Sequence, residues 1–321
     1  MLKNVTIVGG GVLGTQIGLM AAYTGHEVTF WLRSEGSIGR TRPKIELYSK
    51  MMLEDLEKSK ALIGNPMGAY VYPRGLIRDW KSVTAEKIDE LEAGARDAFA
   101  NHVHITLDLA EALKDADIVI EAMAEDPKQK TEMFKKMAGL LPEKTILCTN
   151  SSTLLPSQFA EYTGRPEKFL ALHFANTIWK NNTAEVMGHP GTDPEIYKKV
   201  VAFADEINMV PLQLHKEQPG YILNSMLVPF LDAAMMLWAK EVADPQTIDL
   251  TWKLATSAPA GPFQILDIVG VQTAYNIAIM NPKASDPNSV EAKIVSKLKE
   301  MIDKGETGIN AGKGFYDYSK K

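Results

Sequence analysis

A histidine and a glutamate in the middle of the chain could together act as an acid–base pair. His173 ends the apolar run 169–174, and Glu185 follows twelve residues later in the run 184–187. Both runs have the pattern of strands, so a hairpin-like return would bring the two side chains to one end of a sheet. A carboxylate can fix the imidazole tautomer and raise the basicity of the ring. The spacing alone does not distinguish such a pair from a structural histidine.

A glycine-rich turn near the start of the chain is typical of a dinucleotide site. Residues 9–14 read GGGVLG, which fits G-x-G-x-x-G between a strand and a helix. The first glycine permits a tight turn, the second lets the backbone approach a pyrophosphate, and the third lets the helix pack on the strand. The N-terminus of the helix offers free N–H groups to phosphates. The residues predicted to contact the dinucleotide here are Gly9, Gly11, Val12, Leu13 and Gly14.

The residues after the second strand bear on the choice between NAD and NADP. An NAD site usually has an acidic residue there, which binds the ribose hydroxyls. Here the strand ends in Leu32-Arg33-Ser34, without an acid. Because a guanidinium attracts a 2′-phosphate that a carboxylate would repel, Arg33 favours NADP over NAD. The alternative is that Arg33 is a surface residue and that NAD is bound through other contacts.

The order of predicted elements indicates an α/β fold followed by a helical domain. Strand, glycine turn, helix and second strand within about thirty residues form a βαβ unit, which implies a parallel sheet. β-Branched runs recur up to about residue 215 and then stop. We therefore predict an N-terminal Rossmann-type doubly wound sheet over residues 1–215 and an all-helical domain over residues 216–321. A polar, helical excursion at about 33–102 interrupts the sheet.

Length, composition and charge limit the class of protein. A chain of 321 residues suits two domains, and a net charge of −5 gives no indication of nucleic-acid binding. We expect no membrane span, because no apolar run approaches about 20 residues. The first residues lack the pattern of a secretory signal, and a single cysteine, Cys148, fits a reducing compartment. We predict a cytoplasmic protein without a metal site, since no ligand cluster has zinc-like spacing.

Eight stretches, in order and over nearly the whole length, carry a resemblance to a known family. They are VTIVGGGVLGTQIGLMAAYTGHEV, ADIVIEAMAEDPKQKTEMFKKM, TNSSTL, FLALHFAN, AEVM, QPGYILNSMLVPFLDAAM, GPFQILDIVG and GKGFYDY. With them the chain resembles the short-chain 3-hydroxyacyl-CoA dehydrogenase family, in particular its 3-hydroxybutyryl-CoA dehydrogenases. The resemblance implies an NAD- or NADP-dependent oxidoreductase acting on a CH–OH group, with an acyl-CoA as its substrate. It also implies a homodimer, formed through the apolar helical domain.

The resemblance implies a role for each of four catalytic residues. His173 matches the histidine that takes the hydroxyl proton, and Glu185 matches the acid that orients it. Ser152 matches the serine that hydrogen-bonds the substrate oxygen, and Asn224, from the helical domain, matches the asparagine that polarises it. Serine and asparagine are neutral donors, which can stabilise charge on that oxygen without neutralising the base.

Three further residues match positions on the nicotinamide side of the cofactor: Glu125, Lys130 and Asn176. Glu125 and Lys130 would also fit an exposed start of a helix. Ser152 could in addition cap a helix.

The chain departs from the family where the substrate would bind. The segment after His173 lacks the family's proline-rich stretch, and Trp179 and Lys180 are expected in a wall of the pocket. The excursion 33–102 is longer than the helical hairpin that contributes to CoA binding. One alternative substrate is therefore a small free hydroxy acid, as for carnitine and gulonate dehydrogenases. Another alternative is a nucleotide-binding protein without turnover, although such a protein would have no need of the whole catalytic set.

Overall fold

Strands from both halves of the N-terminal region form a single sheet. The computed structural model describes residues 2–319, and in this range eight strands pair in the order β3-β2-β1-β4-β5-β6-β7-β8. The first six run parallel, β7 is antiparallel to β6, and β8 runs parallel to β7. The strands are β1 (Asn4–Val8), β2 (Glu27–Trp31), β3 (Val103–Thr106), β4 (Ile118–Glu121), β5 (Ile146–Thr149), β6 (Phe169–Phe174), β7 (Thr183–Met187) and β8 (Val210–Leu214).

Helices connect these strands and make up most of the region after them. Several short 3₁₀ turns lie between the helices and strands. The helices are α1 (Val12–Tyr23), α2 (Glu35–Lys60), α3 (Gly68–Val71), α4 (Ala85–Asn101), α5 (Leu109–Leu113), α6 (Pro127–Ala138), α7 (Pro194–Glu206), α8 (Tyr221–Ala239), α9 (Pro245–Thr256), α10 (Pro262–Val269), α11 (Val271–Ala278) and α12 (Val290–Asp303).

The strand order confirms the predicted doubly wound fold. The chain starts at β1, moves outward to β2 and β3, and then crosses back to β4 on the other side of β1. At such a reversal the loops leave in opposite directions, and a crevice opens at the carboxyl ends of the strands. The crevice lies between the ends of β1 and β4, where the glycine turn begins.

The excursion between β2 and β3 consists of two long helices, α2 and α4, that pack on each other and on α1. The sequence predicted a helix from residue 44, but α2 already begins at Glu35. Ser34 caps it, with its hydroxyl accepting from the Ser37 N–H at 3.3 Å. Pro43 lies inside the helix, where it has no N–H to donate and its ring crowds the preceding turn. The sequence pattern does not predict the first two turns, since a proline is rarely found in a helix interior.

Contacts divide the chain into two compact units, one ending at Ile222 and the other starting at Leu223. In the second unit, helices surround Phe263, Leu266 and Leu298. The sequence predicted one helix over 262–279, but Gly270, with φ +95°, separates α10 from α11. The sequence places the boundary near residue 215. We predict that residues 1–215 bind the cofactor and that residues 216–321 bind the substrate and form the dimer. These two roles stay predictions.

Helix α8 corrects one expectation about membranes. It has 19 residues with a mean hydropathy of 1.5, so its length and composition would allow it to cross a bilayer. The sequence predicts a long apolar helix at about 222–238 but no span, because Asn224 and Asp232 interrupt the apolar run. One such helix among the described residues is weak evidence for a span, since the core helix of a soluble protein meets the same criteria.

Candidate active site

A cleft of about 620 Å³ lies at the carboxyl edge of the sheet, in the first unit. It extends from the end of β2, across the glycine turn, to the ends of β4 and β5. Nine of the residues predicted from the sequence line this one cleft, so residues from distant parts of the chain meet there. They are Gly9, Gly11, Val12, Leu13, Gly14, Arg33, Glu125, Ser152 and Asn176.

The glycine turn has the shape that a dinucleotide needs. Gly9 has φ +115°, and a Cβ there would lie 2.8 Å from the Ala122 carbonyl oxygen. A Cβ on Gly14 would lie 2.4 Å from the Gly9 carbonyl oxygen. A Cβ on Gly11 would have no neighbour closer than 3.9 Å, because Gly11 borders the cleft. No side chain caps the N-terminus of α1, so its N–H groups can receive a pyrophosphate.

A basic wall closes the end of the cleft near β2. Arg33, Arg40 and Lys44 all line it, together with the Ser37 hydroxyl. The Arg40 guanidinium donates to the Ser37 Oγ at 3.1 Å, and Lys44 Nζ donates to the Arg40 carbonyl oxygen at 2.6 Å. The Thr41 hydroxyl lies 3.2 Å from the Gly10 carbonyl oxygen, which connects α2 to the glycine turn. The first turns of α2 thus place cations beside the turn.

His173 and Glu185 lie directly opposite each other on β6 and β7. The His173 Nδ1 and Glu185 Oε2 atoms are 3.0 Å apart, and the residues are 5% and 3% exposed. The Ile222 N–H donates to the other oxygen of Glu185, Oε1, at 2.8 Å. Because Nδ1 is held by the carboxylate, Nε2 remains as the ring nitrogen that can exchange a proton with a substrate.

The pair lies at the same edge of the sheet as the cleft. His173 does not line the cleft itself, but Asn176, three residues further along the chain, does. The Phe174 N–H donates to the Asn150 Oδ1 at 3.2 Å, and both Asn150 and Asn176 line the cleft. The end of β6 is therefore connected to the wall formed by the end of β5.

Glu125 organises the turn that carries Ser152. Its Oε1 accepts from the Ser152 and Thr153 N–H groups at 3.0 and 2.8 Å, and from the Ser151 hydroxyl at 2.5 Å. Burial raises the pKa of Glu125, but the Ser151 hydroxyl, the Thr153 N–H and the Lys130 charge outweigh it and lower that pKa overall. Glu125 is therefore a carboxylate at neutral pH.

Lys130 is not on the cleft wall where the resemblance would put it. It is 1% exposed, and its ammonium donates to both oxygens of the buried Glu121, at 2.7 and 2.8 Å. It also lies 3.6 Å from the Glu125 Oε2. This buried position suits support of Glu125 rather than direct contact with a cofactor, since the ammonium is held between Glu121 and Glu125.

The expected wall of Trp179 and Lys180 is also absent from the cleft. Trp179 is fully buried, and its indole N–H donates to the Asp55 Oδ2 at 2.8 Å. The Lys180 ammonium lies 2.9 Å from the Asp55 Oδ1. A Cβ on Gly75 would lie 2.9 Å from the Trp179 Cα, so the segment after β6 packs tightly on the excursion. These residues join the excursion to the sheet.

Three residues at this edge of the sheet were not predicted from the sequence: Arg40, Lys44 and Tyr221. Helix α2 was predicted only from residue 44, so the helical face shared by Ser37, Arg40 and Lys44 was not recognised, although their spacing fits one face. Tyr221, whose ring stacks on His173, was seen only as the start of a helix. Asn224 belongs to the second unit, and its predicted role in polarising the substrate oxygen stays a prediction.

Comparison with known proteins identifies the family. Residues 75–218 match the NAD-binding domain of 3-hydroxyacyl-CoA dehydrogenase, and residues 220–318 match its C-terminal domain. The human mitochondrial hydroxyacyl-coenzyme A dehydrogenase is 30% identical over 323 residues, which cover 99% of this chain and 92% of the human protein. The chain belongs to the 3-hydroxyacyl-CoA dehydrogenase family. It is thereby placed among the oxidoreductases that act on CH–OH groups.

Other family members resemble the whole chain as well. The 3-hydroxybutyryl-CoA dehydrogenase of Clostridioides difficile is 29% identical, over 99% of this chain and 100% of its own length. The solved structure of a diketoreductase that acts on dicarbonyl compounds is 43% identical, with a TM-score of 0.81 and 99% of each chain covered. The match to the family's NAD-binding domain starts only at residue 75, after the glycine turn and α2.

Proposed function

We propose that this member of the 3-hydroxyacyl-CoA dehydrogenase family interconverts a secondary alcohol and a ketone, with His173 as the acid–base group. The observation that carries the proposal is the buried contact of 3.0 Å between the His173 Nδ1 and the Glu185 Oε2, at the edge of the sheet that holds the glycine turn. A bound nicotinamide dinucleotide would supply the hydride acceptor or donor. The shape and charge of the cleft support such a ligand.

The residues of the chain would divide the remaining work. His173 takes the hydroxyl proton at Nε2 during oxidation and returns it during reduction. Glu185 keeps Nδ1 protonated and stabilises the imidazolium. Ser152 and Asn224 would donate hydrogen bonds to the reacting oxygen, which carries more negative charge in the transition state than in the ketone.

The basic wall supports NADP rather than NAD as the cofactor. Arg33, Arg40 and Lys44 line the end of the cleft near β2, where the ribose next to the adenine lies in this fold. Among the described residues that line the cleft, Glu125 is the only carboxylate, and it stands at the end of β4, away from this wall. A 2′-phosphate would therefore meet three cations and no acid there.

Two classes of substrate are supported by different relatives. The names of the dehydrogenases from humans and Clostridioides difficile favour a 3-hydroxyacyl-CoA thioester. The 43% identity to a diketoreductase favours a small dicarbonyl or hydroxy compound without CoA. Reduction of acetoacetyl-CoA should be compared with reduction of free 3-oxo acids and diketo esters, each with NADPH and NADH. Turnover confined to the free compounds would overturn the CoA proposal.

The chemical role of His173 is tested with a matched pair of variants. His173→Ala should lower kcat by at least about 100-fold, because a general base contributes that much or more. The control is His102→Ala, since His102 also contacts a carboxylate, with 2.7 Å between its Nδ1 and the Glu27 Oε1, but lies away from the cleft. Steady-state rates with the best substrate of the panel decide the matter. Equal rates for the two variants would contradict the proposal.

We also propose a homodimer assembled through the second unit, in a cytoplasmic enzyme. Support comes from large apolar side chains that the second unit exposes, which a single chain in water would be expected to bury. They include Met226, Leu237, Val242, Leu250, Trp252, Leu254, Ile268, Ile277, Ile279 and Met280.

A further inference from the structure

Tyr221 makes an unusually close contact with the proposed base. Its ring lies on the His173 imidazole, with 4.4 Å between the ring centroids and 13° between the ring planes. The residue is 1% exposed and packs with Ala171, Met187 and Leu214. A ring fixed on one side in this way allows the imidazole little rotation about its last bond.

The backbone and hydroxyl of the same short segment hold the other parts of the site. The N–H of the next residue, Ile222, donates to Glu185 Oε1 at 2.8 Å, on the carboxylate whose other oxygen faces His173. The Tyr221 hydroxyl donates to the Ser151 carbonyl oxygen at 2.7 Å, next to Ser152. Residues 221 and 222 therefore contact the base, its carboxylate and the turn that carries the predicted oxygen donor.

The backbone conformation at this point is costly for a bulky residue. Tyr221 has φ +54°, in the left-handed region, and follows Gly220 at φ +77°. Residues other than glycine adopt this backbone region only where their surroundings impose it, and such residues cluster at functional sites. With this backbone conformation at the start of α8, the Tyr221 ring lies over the sheet.

The charged groups around the two rings are carboxylates. Glu185 on β7 is the charged group that contacts the imidazole. Glu121, at the end of β4, and Glu125, in the loop after β4, act on the phenol. Burial, followed by the charges of Glu125, Glu185 and Glu121, raises the pKa of Tyr221. The phenol therefore stays protonated and remains a hydrogen-bond donor.

We propose that Tyr221 is a positioning residue, which fixes the plane of the His173 ring and stabilises its protonated form through the aromatic face. The attraction between a cation and a π-face has the required direction, because the imidazole becomes positive when it takes the substrate proton. The inference rests on the proposed role of His173 as the base. Tyr221 itself need not touch the substrate.

The test compares Tyr221→Phe with Tyr221→Leu over the pH range of alcohol oxidation. Tyr221→Phe keeps the aromatic face and should keep the wild-type pH profile. Tyr221→Leu should lower kcat by about 10-fold, since misplaced catalytic groups cost at least that much. Without the aromatic face the imidazolium is less stable, so the acid limb of the kcat profile should move down by about 0.5 to 1 pH unit.

Tyr23, which is partly buried, provides a control for the loss of a tyrosine whose hydroxyl is hydrogen-bonded inside the protein. Its hydroxyl also donates to a backbone carbonyl, that of Leu76 at 2.6 Å, but it lies between α1 and the excursion. Tyr23→Leu should leave the acid limb in place. NADPH binding, followed by fluorescence, and thermal melting show whether each variant is folded. Tyr221→Met, which is also without a ring face, replaces Tyr221→Leu if that variant does not fold.

The outcomes separate this inference from the proposed function. If His173→Ala is inactive while Tyr221→Leu retains the wild-type rate and pH profile, the role of Tyr221 is wrong and the base stands. If Tyr221→Phe moves the acid limb as far as Tyr221→Leu, the aromatic face is not the cause. If His173→Ala keeps its activity, the proposed function itself fails.

Discussion

At the scale of single residues, a substitution of Arg33 distinguishes a contact with the 2′-phosphate of NADP from a surface position without a role in cofactor choice. Arg33→Asp should lower the ratio of kcat/KM with NADPH to kcat/KM with NADH by about 10-fold or more. A charge-assisted hydrogen bond to a phosphate is lost, and a repulsive carboxylate replaces it. Arg42→Asp is the control, because Arg42 is exposed on α2 and does not line the cleft. An unchanged ratio in Arg33→Asp would show that the basic wall does not select the cofactor.

Glu125 is a residue whose contribution to the stability of the fold depends on pH. Its pKa is lower in the folded chain than in the unfolded one, so its charge stabilises the fold above the unfolded value of about 4.3. This stabilisation is lost as the pH falls through the folded pKa. Glu125→Gln should melt about 2 to 4 °C below the wild type at pH 7, the shift expected for about 1 kcal/mol.

The difference in melting temperature between wild type and Glu125→Gln should shrink as the pH is lowered through and below about 4. Glu132→Gln, on the exposed side of α6, is the control and should melt like the wild type at both pH values. Differential scanning calorimetry provides the measurement. A difference that stays constant down to pH 3 would mean that the carboxylate charge is not what holds the 151–154 turn.

At the scale of elements, the packing of α2 on the glycine turn leaves no space for a methyl group. A Cβ on Gly10 would lie 2.1 Å from the Thr41 Oγ1 and 2.8 Å from the Thr41 Cβ. Gly10→Ala must therefore push α2 away from the turn and move the basic wall with it. We expect the Kd for NADPH to rise at least about 10-fold, because the basic wall would be displaced relative to the turn that binds the pyrophosphate.

Gly39→Ala is the control for that substitution, since Gly39 lies on α2 with open space around the position of a Cβ. Alanine is the better helix former, so this variant should bind NADPH normally and melt no lower than the wild type. Fluorescence titration with NADPH compares the two variants. Equal affinities in Gly10→Ala and Gly39→Ala would contradict the proposed coupling between α2 and the turn.

The elements also show how far the sequence can be interpreted. Strands with β-branched runs were predicted within a residue or two, because burial on both faces leaves a strong pattern, as at β1 and β4. The return from β6 to β7, which pairs His173 with Glu185, followed from two neighbouring runs. The first turns of α2 were missed because local rules treat Pro43 as a boundary, although a packed helix tolerates it.

Contacts between distant segments could not be predicted in the same way. The burial of Trp179 against Asp55 joins segments more than a hundred residues apart, and nothing near Trp179 in the sequence distinguishes a buried indole from a pocket wall. The left-handed backbone of Tyr221 is likewise invisible locally, since tyrosine has no preference for it. Lys130 looked exposed because a lysine in a helix usually is, but its partner Glu121 lies at the end of a buried strand.

At the scale of the whole molecule, the exposed apolar side chains of the second unit predict a change of oligomeric state on substitution. Leu254 is 75% exposed and Ile268 is 63% exposed. If a second copy covers them, Leu254→Glu combined with Ile268→Glu should convert a dimer into a monomer, because two charges would be buried without partners. Light scattering after size exclusion measures the mass.

Leu47→Glu is the control for this double variant, since Leu47 is 52% exposed on α2 in the first unit. It should keep the mass of the wild type. A wild-type chain that already elutes as a monomer would contradict the homodimer. A double variant that remains dimeric would contradict an interface that includes Leu254 and Ile268.

Cys148 lies on β5 with no exposed surface, and burial raises the pKa of its thiol. The thiolate, which is the species that reacts with maleimides and iodoacetamides, is therefore both scarce and shielded. A cysteine introduced at any exposed position would then be the single site of labelling in the native enzyme. Dyes or spin labels attached in pairs could report the distance between the two units in solution, without prior removal of the native cysteine.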